Sequence, residues 1–166
     1  MVTSTGTKVA KGTVINYLDY VREAFLILPI SNIADNLVEK ITSPKYYFID
    51  NGIISLLALD VRTSLLENLV AIELLRHYGT KDMVFYYKHG VEVDFYITDA
   101  ETAIQVCYSM NHSGDTYARE IRALIKVQKH LSCRRNIIVT YDSEDTIIQD
   151  GIEIDIIPAW KFIRDK

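Results

Sequence analysis

Apolar and polar residues alternate with a period of two over Val91-Glu-Val-Asp-Phe-Tyr-Ile97 and again over Ala103-Ile-Gln-Val-Cys-Tyr108. That period predicts two β-strands. Val91, Val93, Phe95 and Ile97 share one face of the first strand, and Glu92 and Asp94 share the other. In the second strand Ile104, Val106 and Tyr108 alternate with Gln105 and Cys107. Matching the apolar faces sets an antiparallel register with Phe95 opposite Ile104 and Val93 opposite Val106. A two-residue turn at Asp99-Ala100 produces that register, and a slip of one residue would turn every side chain over. Asp94 then lies opposite Gln105, and Glu92 opposite Cys107.

Elsewhere the pattern changes period. Val14, Leu18, Val21 and Phe25 form one apolar stripe on a helix from about Ala10 to Phe25. Phe25 to Ile30 reads as a buried strand ending near Pro29, and Ser31 to Ile41 is ambiguous. Pro44 to Asp50 is a second strand, closed by the turn pair Asn51-Gly52. Ser64 to Tyr78 is a helix stopped by Gly79 and apolar around its whole axis, as a buried helix is. Glu67 falls between Ala71 and Leu74 on that helix, so its carboxylate needs a partner, a proton or a metal. Met83 to Lys88 is a strand preceding the hairpin. Asp115 to Leu131 is an amphipathic helix with Ile121, Leu124, Ile125 and Leu131 inward. Strands at Asn136–Tyr141 and Ile152–Ile157 and a short helix at Ala159–Ile163 complete the chain. This is the pattern of an α/β fold, a mixed sheet flanked by helices.

The 166 residues suffice for one domain with a real core, or a domain with a small appendage, and 49% hydrophobic with 24% charged residues is a globular composition. A net charge of −4 argues against binding nucleic acid over the whole surface but leaves room for a local basic patch. Cys107 and Cys133 make no disulfide framework, which points to a reduced, cytoplasmic setting. No signal peptide or membrane span is legible, so no membrane partner is expected.

Asp94 and Gln105 set oxygen ligands side by side on adjacent strands, which is what a hard cation such as magnesium requires. Arg119, Arg122, Lys126 and Lys129 recur at i, i+3, i+7 and i+10 on the helix that follows. Such a stripe can track a phosphate backbone, and DNA is its candidate partner; the plain alternative is a solvated face. Lys8, Lys11 and Asn16 on the first helix are a weaker candidate of the same kind. Cys107 reads as a small buried thiol rather than a nucleophile. The 4 histidines are scattered without zinc spacing, and the 11 tyrosines read as packing residues.

Glu67 on a buried helix, Glu92-Val-Asp94 on a strand and Gln105-Val-Cys107 on the next resemble the core of the PD-(D/E)XK nuclease-like superfamily. More narrowly, the chain resembles the C-terminal domain of unknown function of many prokaryotic AAA+ type ATPases. That resemblance runs through Thr13 to Ile27, Ser43-Pro-Lys-Tyr-Tyr-Phe-Ile-Asp-Asn-Gly52, Leu66-Glu-Asn-Leu-Val70, Glu92-Val-Asp-Phe95, Ile104-Gln-Val106 and Ile157-Pro-Ala-Trp-Lys-Phe162. It implies a partial winged-helix segment over 1–50 and a nuclease-like domain over 51–166. It also implies an upstream ATPase module, whose phosphate-cradling Gly-x-x-x-x-Gly-Lys-Ser/Thr loop this chain lacks. An abrupt start close to a helix reads as a fragment; a member that has lost its motor is the alternative.

In active members of the superfamily a lysine stands where this chain has Cys107. The catalytic set carried over is therefore Asp94, Gln105 and the degenerate position Cys107, with Glu67, Asp94 and Gln105 as the magnesium ligands of a working site. Lys88 and Lys126 are the candidates to supply the missing charge. The resulting expectation is a catalytically impaired DNA- or protein-interaction module. The alternative is a magnesium-dependent DNA endonuclease with a substituted lysine, and a homo-oligomerisation domain is a third possibility.

Overall fold

The computed structural model describes residues 10–57, 62–79, 83–109 and 115–164; the weak contact candidate Lys8 lies outside them. The chain begins with α1 (Lys11–Glu23), β1 (Ile27–Ile30), α2 (Leu37–Thr42) and β2 (Lys45–Phe48). β1 and β2 pair antiparallel, with Ile27 opposite Phe48 and Ile30 opposite Lys45. The ambiguous stretch is resolved by a capping box: Asn36 accepts the Glu39 N–H while the Glu39 carboxylate accepts the Asn36 N–H. Asn51-Gly52 does not close a turn. It opens a helix, α3 (Asn51–Leu57), because the Asp50 carboxylate accepts the Gly52 N–H at 2.6 Å and caps the first turn.

α1 does not behave as its stripe predicts. Val14, Leu18 and Val21 are half-buried, and Phe25 is 72% exposed. Phe25 also takes φ +56°, the left-handed conformation that normally ends a helix at glycine. Phe25→Gly should therefore stabilise the fold by about 0.5 kcal/mol, the relief of left-handed strain less the added freedom of the unfolded chain. A urea titration checks it; a loss of stability would mean that the Phe25 ring packs in solution.

α4 (Arg62–Tyr78) follows, ending in Gly79 at φ +79° with its N–H bonded to Leu75 O. Then come β3 (Val84–Lys88), β4 (Glu92–Ile97), β5 (Thr102–Val106), α5 (Asp115–Val127), β6 (Arg135–Thr140), β7 (Asp145–Gln149), β8 (Ile152–Pro158) and α6 (Ala159–Arg164). The strands form a mixed six-stranded sheet in the order β3-β4-β5-β6-β8-β7. β5, β6 and β8 run parallel, and the other pairs are antiparallel. β7 was not expected from the sequence; it is an outer edge strand with only Ile147 half-buried, so alternation scarcely marks it.

One face of the sheet packs on Leu66, Val70 and Leu74 of α4 and Phe162 of α6, joined by Ile30 and Tyr47 of the two-stranded sheet. The other packs on Ile121, Leu124 and Val127 of α5. Among the described residues, no helix is long and apolar enough to cross a membrane. The small sheet is tied to the large one: Ile33 N–H bonds Tyr86 O and Tyr86 N–H bonds Ser31 O at the free edge of β3. Asn68, 2% exposed, grips both the N–H and the carbonyl of Phe48, at 2.7 and 2.9 Å.

Candidate functional site

The site begins with a failure of simple alternation in β4. Phe95 and Ile97 pack toward α4, as one face should, but Val93 packs on the α5 side. The cause is a bulge. Tyr87 pairs with Val93 and Phe85 with Tyr96, so Asp94 and Phe95 together stand opposite Tyr86 alone. A bulge kinks the strand and re-aims its side chains, and this one lets the Asp94 carboxylate meet residues brought by α4 and β2.

The β4–β5 register is as expected from Ile97↔Thr102 to Phe95↔Ile104, across a turn centred on Asp99-Ala100 with Glu101 at φ +44°. Beyond Phe95 it changes. The expected pairing of Val93 with Val106 is not made; those two side chains lie on opposite faces. The β4–β5 pairing stops at Phe95, so Glu92 does not pair with Cys107; on the other side of β4 it stands opposite Lys88 of β3. Side chains take over the ladder. Asp94 N–H donates to Gln105 Oε1 at 2.9 Å, Gln105 Nε2 donates to Glu92 O at 3.1 Å, and Val106 N–H donates to Asp94 Oδ2 at 2.9 Å. The amide has only one workable orientation, since an N–H needs its oxygen and a carbonyl needs its nitrogen.

At this opening three carboxylates gather around one ammonium. Lys45 Nζ lies 2.8 Å from Glu92 Oε1, 3.8 Å from Glu67 Oε1 and 3.9 Å from Asp94 Oδ1. Lys88 Nζ holds the other Glu92 oxygen at 2.8 Å. Tyr47, on the same face of β2 as Lys45, donates its hydroxyl to Glu67 at 2.7 Å. Glu67 thus has the partner that its place on an apolar face demands.

The electrostatics follow from burial. Burial pushes the Asp94 carboxyl up to about 7, helped by Glu67 and opposed by the Val106 N–H and Lys45. Burial pulls the Lys45 ammonium down, but its hydrogen bond to Glu92 and the charges of Glu67 and Asp94 outweigh that, and the net direction is upward. Burial acts to raise Glu92, but the hydrogen bonds from Lys45 and Lys88 win and hold it below its ordinary range. Burial, followed by Glu67, keeps the Tyr47 hydroxyl protonated far above its usual range.

The carboxylates open into a cavity of about 520 Å³ whose opposite wall is α5. Arg119, Arg122 and Lys126 line it together with Glu67, Asp94 and Gln105; Lys129 is exposed and is not among the lining residues. The basic stripe is interrupted, because Arg119 Nη2 pairs at 2.6 Å with Glu120, a buried carboxylate on the same helix. Cys107 is 5% exposed, its thiol faces Ser109 O at 3.1 Å, and burial raises it above its ordinary range. His89 and His130, far apart in sequence, stand with ring centroids 6.4 Å apart. Tyr108 and Tyr141 stack at 4.9 Å.

The oxygen donors are of the type magnesium takes, but their arrangement does not suit it. Gln105 Oε1 is occupied by the Asp94 N–H, one Asp94 oxygen by the Val106 N–H, and both Glu92 oxygens by lysines. An ammonium already stands among the carboxylates. Among the described residues, no group of three or more His, Cys, Asp or Glu side chains is set to hold a metal ion.

Sequence reasoning missed Lys45, Tyr47 and Glu120. The signal for the first two was present in Lys45-Tyr-Tyr47, where alternation puts a lysine and a tyrosine hydroxyl on one strand face. Nothing in the sequence says that this face meets α4 and β4.

Residues 62–162 match the family described as a domain of unknown function, DUF4143. An uncharacterized protein of Methanocaldococcus jannaschii, MJ1544, is 36% identical over 94% of this chain, which spans 37% of that protein's length. No solved structure matches. Lys45 and Tyr47 therefore precede the matched segment, while every other residue of the acidic cluster falls inside it. With its match covering most of the chain, from α4 into α6, the protein belongs to the DUF4143 family.

Proposed function

We propose that the cleft between the splayed β4–β5 strands and α5 engages the phosphate backbone of DNA without cleaving it. One observation carries this reading: Arg122 and Lys126 line the same cavity as Asp94 and Gln105, so α5 turns positive charge toward a site of nuclease-like layout. The resemblance to PD-(D/E)XK nucleases supports the layout. Cys107 in place of the lysine, and donors already engaged by N–H groups and ammonium, support the lack of turnover. In this reading the chain is a cytoplasmic C-terminal module of an AAA+ type ATPase-family protein. The M. jannaschii relative extends well beyond the aligned region, which leaves room there for such a partner module. The helix and two antiparallel strands before Asp50 support a partial winged-helix segment.

Fluorescence anisotropy with linear and branched duplexes tests the binding. Arg122→Glu with Lys126→Glu should weaken it at least about tenfold and flatten its salt dependence by roughly two phosphate contacts. Unchanged affinity would remove the cleft from the proposal. The same DNAs and a supercoiled plasmid, incubated with magnesium or manganese, should show no cleavage above that of Asp94→Ala. Cleavage by the wild type alone would favour the endonuclease with a substituted lysine.

A second reading has its own observation. Ile15, Tyr17, Tyr20, Phe25 and Leu26 are exposed along and just after α1, and exposed apolar side chains of this kind bind protein. Light scattering that finds a concentration-independent oligomer would favour assembly through these side chains.

A further inference from the structure

We infer that the Lys45 ammonium is the resident cation of the acidic cluster, standing among Glu67, Glu92 and Asp94 where a nuclease-like site would gather a divalent metal. The disagreement between the donor set and magnesium leads to this directly. Three carboxylates from two elements converge on one point, and like charges gathered there are relieved by a cation or a proton. Lys45 Nζ is within 4 Å of all three: 2.8, 3.8 and 3.9 Å. Lys88 touches Glu92 alone among them, and Arg119 is taken by Glu120.

The ammonium is also delivered on a fixed support. Two residues along the same strand face, Tyr47 is anchored on Glu67. One residue further, Phe48 is held by Asn68 through both backbone polar groups. The Lys45 ammonium itself sits 5.1 Å from the Tyr86 ring centroid. Much of the entropy of placing this charge is thus lost when β2 folds against α4. A hydrated divalent ion would have to displace a tethered competitor and shed its own water. The consequence is functional as well as structural. The small N-terminal sheet is part of the site, and the cluster has a cation of its own without any metal.

The test uses Mn2+ alone as the probe. In the wild-type chain, millimolar Mn2+ should leave the NMR signals of the Lys45 ε-methylene unbroadened. By electron paramagnetic resonance of the free ion, Lys45→Met should bind Mn2+ at least about tenfold more tightly than wild type, the cluster having lost its cation. Adding Asp94→Asn to Lys45→Met should abolish that gain. Broadening of Lys45 in the wild type, or Mn2+ uptake by the wild type equal to that of Lys45→Met, would overturn the inference. If Lys45→Met does not fold, the wild-type broadening experiment decides by itself. The inference does not rest on DNA binding: the anisotropy and Mn2+ results are separate readouts and can fail independently.

Discussion

Gln105→Leu is expected to destabilise the protein by about 3 kcal/mol, because it orphans two part-buried backbone groups while keeping the side chain's bulk. In the folded chain Gln105 is 3% exposed and spans the gap where β4 and β5 part, accepting from Asp94 N–H and donating to Glu92 O. Leucine can do neither. Two unsatisfied groups at roughly 1–3 kcal/mol each dominate the small gain from a more apolar side chain. Urea titrations of both proteins measure the difference. A loss under about 0.5 kcal/mol would mean that the strands close up or that water replaces the amide, and that Gln105 is not what holds the site open. A loss near the expected value makes Gln105 a structural bridge, with its oxygen committed to the backbone.

The second large effect is on pH dependence. Asp94 is held near pH 7, well above the ordinary value of 3.8 that it recovers on unfolding. Between those values the folded state binds more protons than the unfolded state, so stability falls as pH rises. The full contribution is present below the unfolded value and is lost by the time pH passes the folded one, on the order of 4 kcal/mol across the window. The other shifted groups of the cluster act elsewhere. Glu92, held low, loses its stabilising contribution only as pH drops below 4.5, and Lys45, held high, loses its own above 10.5. Asp94→Asn should flatten the fall in melting temperature between pH 5 and 7.5 and be the more stable protein at the upper end. If wild type and Asp94→Asn show parallel profiles, Asp94 is ionised throughout this range. The Lys45 and Val106 contacts would then outweigh burial and Glu67.

Much of the fold was legible because its main elements carry strong, local periodicity. α4 and α5, the hairpin turn and the register through Phe95 and Ile104 follow from which residues must be buried. β7 escaped because an edge strand buries almost nothing. The helix at Asn51 escaped because its cap, Asp50, acts through a single side-chain hydrogen bond that a turn pair resembles on paper. Lys88 and Lys126 were the lysines to consider from proximity along the chain. Lys88 reaches Glu92 and Lys126 lines the cavity, yet the lysine among all three carboxylates is Lys45.

The sequence by itself determined the inventory: a helical carboxylate that needs a partner, two acids and an amide on neighbouring strands, a thiol at the end of the second, and basic residues on the next helix. Those follow from periodicity, which depends only on near neighbours. Tertiary structure alone decided how they are used. The bulge at Asp94-Phe95 brings the acid to meet Glu67, and the docking of β2 on α4 brings in Lys45. Both depend on contacts between segments distant along the chain, where the favoured partner is set by what packing leaves within reach and not by spacing.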